Sequence, residues 1–153
     1  MKFLSWNLRG LNNTQKQYAL NQCIFQEKVD CVLIQETKMS SANFDRIVSH
    51  VWPGASYMHM DADGASGGIS IMWNQCSMMG VEIWRDKNFI IIEFETSNQN
   101  WGLINIYASN NKVGRRETYG KMERIIETMK DKQLMCMGDF NTHPLSLKEV
   151  RRK

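Results

Sequence analysis

A chain of 153 residues with 42% hydrophobic and 23% charged side chains can bury a core of its own and has ordinary globular composition, which argues against a disordered or fibrous chain. Its formal net charge of +3 is too small to argue nucleic-acid binding without a clustered patch. No apolar run approaches a membrane span, and Ser5, Asn7 and Arg9 interrupt the stretch after Lys2, so neither membrane insertion nor a signal peptide is expected.

The first apolar run, residues 3–7, is short and bounded by polar and Gly-containing sequence, which reads as a buried strand. A helix is predicted over residues 14–27, where Leu20, Cys23, Ile24 and Glu27 fall at helical spacing and Asn13 or Thr14 can cap. Residues 31–36 form a second apolar strand. A second helix is predicted over residues 41–51, with Phe44, Ile47, Val48 and Val51 on one face and Pro53-Gly54 as its stop. The middle of the chain changes character. Residues 56–60, 68–74, 79–85, 89–96 and 101–107 read as successive strands, with 86–88 and 97–100 as hairpin turns. A third helix over residues 115–131 presents Met122, Ile125, Ile126 and Met129 and leads into a strand at 134–138.

With no repeat, low-complexity segment or linker, the chain reads as one domain of α/β class: packed sheets in the centre and helices outside. Cys23, Cys31, Cys76 and Cys136 show no Cys-x-x-Cys pairing and no His-rich run accompanies them, so a zinc site is not expected. Three of the four lie in apolar patterns, as buried thiols would. That usage points to a reducing compartment, nucleus or cytoplasm, and not to secretion.

Four of the apolar runs end in chemically useful side chains: Asn7, Glu36, Tyr107, and Asp139 with Asn141. In open α/β sheets the carboxyl ends of the strands open onto the ligand crevice, so these residues would meet in one site.

The strings Ser5-Trp6-Asn7-Leu8-Arg9-Gly10, Gln35-Glu36-Thr37-Lys38, Gly67-Gly68-Ile69-Ser70-Ile71, Asn105-Ile106-Tyr107-Ala108-Ser109-Asn110 and Gly138-Asp139-Phe140-Asn141 occur in this order and at family-like spacing in the endonuclease/exonuclease/phosphatase superfamily. They look most like the endonuclease domain of LINE-type (non-LTR) retrotransposons, and the resemblance covers Met1 to about Asn141. It implies an αββα sandwich of four layers, of which this chain would be the first half to two thirds. The family's domain ends in a Ser-Asp-His stretch that this sequence lacks; His143-Pro144-Leu145 has no preceding Asp and follows the Gly-Asp-Phe-Asn string directly. Residues 1–153 would thus be a single partial domain, with 142–153 a poorly ordered tail. On that implication most strands would build the first sheet and one sheet face would lie bare, so the isolated chain should self-associate.

The resemblance also implies the chemistry. Phosphodiester hydrolysis needs a hard cation on the phosphoryl oxygens, and Mg²⁺ (or Mn²⁺) is usually held by one or two carboxylates plus waters. Glu36 would be the metal carboxylate; otherwise it is a surface Glu satisfied by Lys38. Asn7 would orient Glu36 or join the metal shell, or else cap its own turn. Asp139 would orient the attacking water and Asn141 donate to developing charge, although an Asp-x-Asn also makes an ordinary Asx turn. Tyr107 would hydrogen-bond the phosphate or leaving group, or merely pack.

DNA is the implied partner, with a reverse transcriptase in a full-length element. Arg9 suits phosphate contact. Lys112, Arg115 and Arg116 follow Tyr107 closely, and two arginines in the first turn of a helix would oppose its macrodipole by roughly 0.3–1 kcal/mol each, which favours a DNA-backbone role over a solvated loop. Arg151-Arg152-Lys153 reads as a solvated end. Two other functions stay open: a phosphatase of the same superfamily, separable by phosphate release against nicking, and a non-catalytic nucleic-acid-binding or inert fragment.

Overall fold

The computed structural model describes residues 1–95 and 100–142. Strand β1 (Phe3–Asn7) leads into α1 (Thr14–Gln26), whose start is fixed by Asn13: its side-chain oxygen accepts from the Gln15 and Lys16 N–H groups. Then come β2 (Cys31–Gln35), α2 (Ser41–Val51) and the long hairpin β3 (Ala55–Asp63) and β4 (Ser66–Asn74). The second part holds β5 (Met79–Arg85), β6 (Phe89–Glu95), β7 (Trp101–Tyr107), α3 (Lys112–Glu127) and β8 (Gln133–Asp139).

Helix α3 begins three residues before the predicted start, because Asn111 caps it by accepting from the Gly114 N–H at 2.7 Å. Arg115 and Arg116 are therefore its fourth and fifth residues, and the Arg115 N–H is already bonded to the Asn111 carbonyl at 3.0 Å. The macrodipole argument for these two arginines accordingly does not apply.

Among the described residues the strands form two four-stranded sheets, ordered β1-β2-β4-β3 and β5-β6-β7-β8. Pairs β1–β2 and β7–β8 are parallel and the others antiparallel. Three apolar layers hold the sandwich. Leu20 and Ile24 of α1 and Phe44 and Val48 of α2 pack on Val32, Ile34 and Met72 of the first sheet. Leu33, Ile69 and Ile71 meet Ile90, Ile92, Phe94 and Leu103 between the sheets. On the far side Phe89, Ile91, Ile104 and Ile106 lie under Tyr119, Met122, Ile125 and Ile126 of α3.

Each of these aliphatic and aromatic side chains contributes about 1.5–3 kcal/mol when fully buried. The result is an αββα sandwich of four layers, all built by this chain. The bare face expected on the central strand β6 is covered: Phe89 and Ile91 face α3, Ile90, Ile92 and Phe94 face the other sheet, and all five are 0% exposed. Apolar residues on both faces of a strand show that it is central without showing which sheet it joins, and β5–β8 join the second. Self-association through the face of the central strands is therefore not called for, while apolar side chains of β5 and β8, Met79, Val81, Trp84 and Met135 among them, stay exposed.

What stays exposed lies at the margins. Edge strand β5 shows Met79, Val81 and Trp84 to solvent and has its register broken between Glu82 and Trp84, a bulge that blunts an open edge. Of the cysteines only Cys31 is buried; Cys23 is half-buried, and Cys76 and Cys136 are exposed, against the expectation of three buried thiols. No helix among the described residues is long and apolar enough to cross a membrane. The predicted turn at 97–100 falls largely, and His143, the basic residues at 151–153 and nearly all of the expected tail fall wholly, outside the described residues.

Candidate active site

Parallel neighbours end on the same side, and this sets the site. Asn7 is paired with Gln35 at the end of β1–β2, and Tyr107 with Asp139 at the end of β7–β8. The two sheets pack with β1 against β8. Four strand ends thus converge, and Asn7 joins them: its Nδ2 donates to Glu36 Oε1 at 3.0 Å and to Asp139 Oδ2 at 2.7 Å. Ionised carboxylates only accept, so the amide nitrogen has to face them. The Asn7 oxygen turns the other way and accepts from the Arg9 N–H at 3.2 Å. Tyr107 stands beside this bridge. Burial pushes its phenol up to about 12, and the charge and hydrogen bond of Glu36 and the charge of Asp139 act in the same direction, so it remains a donor at neutral pH.

The backbone around the site is strained. Four of the five non-glycine residues with positive φ among the described residues are Arg9, Glu36, Lys38 and Asn141. Such conformations cost about 1–3 kcal/mol each and persist where the surroundings over-determine them. For Glu36 those surroundings are visible: Gly10 N–H bonds the Glu36 carbonyl at 2.6 Å, Leu11 N–H the Thr37 carbonyl at 2.9 Å, and the Thr37 and Lys38 N–H groups reach Gly68 and Gly67 at 3.0 Å. Gly68 has φ +81°, and a Cβ there would stand 2.1 Å from Thr37 Oγ1. Before Asp139, Gly138 has φ +135° and a Cβ would meet the Ile106 carbonyl oxygen at 2.1 Å. Only glycine lets the chain pass at both places.

Glu36 is also 3.8 Å from Lys38 Nζ, so the ion pair coexists with the Asn7 bridge. Asn141 closes an Asx turn, its N–H on Asp139 Oδ1 at 3.0 Å, and one of its two amide hydrogens goes to the Ala108 carbonyl at 2.5 Å, which leaves the other as a donor. Arg9 lines a crevice of about 590 Å³ with Asn110, Asp139, Phe140, Asn141 and Thr142. A second crevice of about 540 Å³, bordered by Gly67, Gly68, Tyr107, Asn110 and Lys121, adjoins it. The other expected cationic contacts are not brought in. Arg115 braces its own loop through the Ser109 and Asn110 carbonyls at 3.3 and 2.6 Å, and the exposed Lys112 and Arg116 line neither crevice.

No cluster of three or more His, Cys, Asp or Glu side chains suited to a metal occurs among the described residues. Glu36 and Asp139 fit Mg²⁺ or Mn²⁺, which need only one or two carboxylates with waters. Glu36 Oε2 lies outside the Asn7 bridge, 3.8 Å from Lys38 Nζ, and the Asn7 oxygen, which accepts from the Arg9 N–H, keeps a second lone pair.

Three buried polar residues had no role in the sequence reading. Gln35 Nε2 donates to Asn105 Oδ1 at 2.6 Å, and Asn105 Nδ2 donates to the Ser70 and Ile34 carbonyls at 2.7 and 3.1 Å, which joins the sheets directly beneath the site. A polar residue inside a Leu-Ile-Asn-Ile run is the signal that could have found it. His59, 4% exposed, lies on the other side of the Glu36 loop.

Burial pushes the His59 imidazole down to about 4; Asp61 opposes this and Arg85 adds to it. The unfolded chain, with an ordinary value near 6.5, holds the proton more readily, so the stabilisation is complete above pH 6.5 and is lost as pH falls towards 4. About 3 kcal/mol should vanish across that window, and His59→Phe should flatten this part of the stability-versus-pH curve measured by urea unfolding. Parallel curves for the two proteins would show that His59 is not the group responsible.

No family model matches the sequence. Solved structures do. The endonuclease domain of TRAS1, a telomere-specific non-LTR retrotransposon, is 16% identical over 97% of this chain and 67% of its own, with a TM-score of 0.74. An endonuclease/exonuclease/phosphatase family protein from Bacteroides thetaiotaomicron is 15% identical over 96% of this chain and 64% of its own, TM-score 0.69. The 3′ phosphatase NExo from Neisseria, bound to a product DNA hairpin, is 18% identical over 95% and 60%, TM-score 0.67. The chain thus spans between 60% and 67% of these solved chains. What the likeness establishes at these identities is architecture: the chain has the αββα sandwich fold of the endonuclease/exonuclease/phosphatase superfamily.

Proposed function

We propose that this chain carries the amino-terminal part of a divalent-metal-dependent phosphodiesterase that acts on DNA in the manner of a retrotransposon endonuclease. One observation carries it: the Asn7 amide bonded between the Glu36 and Asp139 carboxylates, beside a protonated Tyr107, at the joined ends of four strands. The nuclease and phosphatase among its structural neighbours support phosphoester hydrolysis in general, and the hairpin-bound one supports DNA. Glu36 would hold Mg²⁺ or Mn²⁺, which neutralises charge on the phosphoryl oxygens when bound. Asn7 fixes the two carboxylates against each other, Asp139 takes the proton of the attacking water, and Tyr107 donates to a phosphate oxygen. Arg9 positions the backbone phosphate from the crevice rim. A nuclear or cytoplasmic place and a reverse-transcriptase partner belong to the same reading.

Calorimetric titration with Mn²⁺ tests the metal step. Glu36→Gln should bind at least about tenfold more weakly than wild type, and equal affinity would take Glu36 out of the site. The chemistry is tested on supercoiled plasmid with Mg²⁺. Each missing transition-state donor commonly costs about 10²-fold in rate, and without a Ser-Asp-His stretch these 153 residues alone should give no more than trace nicking. Robust nicking that disappears in Asp139→Ala would show that the four strand ends suffice. Release of phosphate from a 3′-phosphorylated strand without nicking would move the assignment to a phosphatase.

A further inference from the structure

Thr37 sits between Glu36 and Lys38, both held at positive φ (53° and 54°), and is itself fully buried. Its main chain is tied on both sides, to Leu11 and to Gly68, as described above. Its side chain has two neighbours of interest. One is the space left by the absent Cβ of Gly68, and the other is His59, whose Nε2 lies 3.1 Å from Thr37 Oγ1.

His59 is built as a fixed abutment. Its ring stacks on Phe44, with centroids 4.2 Å apart and planes within 8°. Its Nδ1 faces Asp61 Oδ1 at 3.5 Å and Ser41 Oγ at 3.4 Å. Asp61 in turn accepts from the Ser41 N–H at 3.0 Å and from the Ser41 hydroxyl, at the start of α2. A carboxylate can only accept, so the single proton of the neutral ring belongs on Nδ1 and Nε2 accepts the Thr37 hydroxyl hydrogen. A chain of polar contacts therefore runs from surface Asp61 through His59 to the residue next to Glu36. His59 is 4% exposed and reaches the Glu36 turn through Thr37.

We propose that His59 is a positioning residue for Glu36: by accepting from Thr37 it locks the left-handed turn that presents the Glu36 carboxylate to a divalent cation. This rests on the reading of Glu36 as the metal carboxylate. Partners that orient a metal ligand from behind are commonly worth about 10- to 100-fold in affinity, and His59 acts here through the ligand's neighbour, so an effect at the lower end is expected.

The test is Mn²⁺ titration of the whole chain by calorimetry, with melting temperatures measured alongside. His59→Phe preserves the stack on Phe44 and removes the acceptor; it should weaken Mn²⁺ binding about tenfold. His59→Gln, whose side-chain oxygen can reach the Nε2 position, should recover most of the affinity. Thr37→Val removes the donor from the other end and should match His59→Phe. A purely structural role would lower the melting temperature and leave the affinity of the folded protein unchanged. Wild-type affinity in folded His59→Phe, or in Thr37→Val should the first variant not fold, overturns the proposal. Two failures can be told apart. If Glu36→Gln binds Mn²⁺ as wild type does, the metal reading falls and this proposal with it; if Glu36→Gln is impaired while His59→Phe and Thr37→Val are not, only the proposal falls.

Discussion

Asn105→Leu, which keeps the branching at Cγ, is expected to remove roughly 3 kcal/mol of folding stability, because each buried hydrogen bond contributes about 0.5–1.5 kcal/mol net. Three bonds would be lost: those of Asn105 Nδ2 to the Ile34 and Ser70 carbonyls, and that of the Gln35 amide to Asn105 Oδ1 at 2.6 Å, which leaves Gln35 Nε2 its longer contacts to Ser5 Oγ and the Leu33 carbonyl at 3.3 and 3.4 Å. All of them lie between the sheets, where Gln35, Ser70 and Asn105 are 0–1% exposed and water cannot substitute. Against a total typically between about 5 and 15 kcal/mol, that loss is large. It should appear in urea unfolding as a lowered midpoint with unchanged slope. A change below about 1 kcal/mol would show that apolar contact alone holds the sheets together.

The position of this latch explains why it exists within an otherwise apolar layer. Leu33, Ile69 and Ile71 against Ile90, Ile92 and Leu103 give attraction without direction, so they do not by themselves select one offset of sheet on sheet. The Asn105 bonds are directional. They link β7 two residues before Tyr107 to β2 one residue before Glu36, so the offset they select is the one that brings Tyr107 and Asp139 to Asn7 and Glu36.

That layer also marks the limit of what could be read from the sequence. Local signals were legible: α2 starts and stops as its apolar face and Pro53-Gly54 demand, Asn13 caps α1, Asn7, Tyr107 and Asp139 end their strands, and Glu36 directly follows the end of β2. The start of α3 was not, since Lys112-Val113-Gly114 is poor helix sequence and one side-chain bond from Asn111 decides it. The division of strands into two sheets was not legible either, because burial on both faces is the same signal in either sheet. Gln35 and Asn105 meet seventy residues apart, and Thr37 and His59 twenty-two apart. Pairings of that kind depend on the register of the sheets, which no local pattern encodes.

The second large effect concerns Asn7. Asn7→Asp puts a third carboxylate where an amide now donates to Glu36 Oε1 at 3.0 Å and Asp139 Oδ2 at 2.7 Å. Two stabilising bonds become two like-charge contacts, each worth up to about 6 kcal/mol at an effective dielectric of 20 and much less after solvent screening, since all three residues are only part-buried. A net loss of about 4 kcal/mol at neutral pH is expected without metal. Crowding raises the carboxyl pKa values of the folded variant above those of the unfolded chain, so the folded state holds protons more tightly. The penalty should therefore be small at acid pH and grow as pH rises through the carboxylate range. A divalent cation offers the same relief as a proton. A ligand at 100 times its dissociation constant adds about 2.7 kcal/mol to the state that binds it, so millimolar Mn²⁺ should raise the melting temperature of Asn7→Asp by far more than that of wild type. Ca²⁺, a hard cation with similar oxygen preference, should do the same in part, whereas an equal ionic strength of NaCl should do little beyond screening. Should Mn²⁺ leave the variant as unstable as NaCl does, a divalent cation does not reach the crowded carboxylates, and the reading of Glu36 as the metal carboxylate fails.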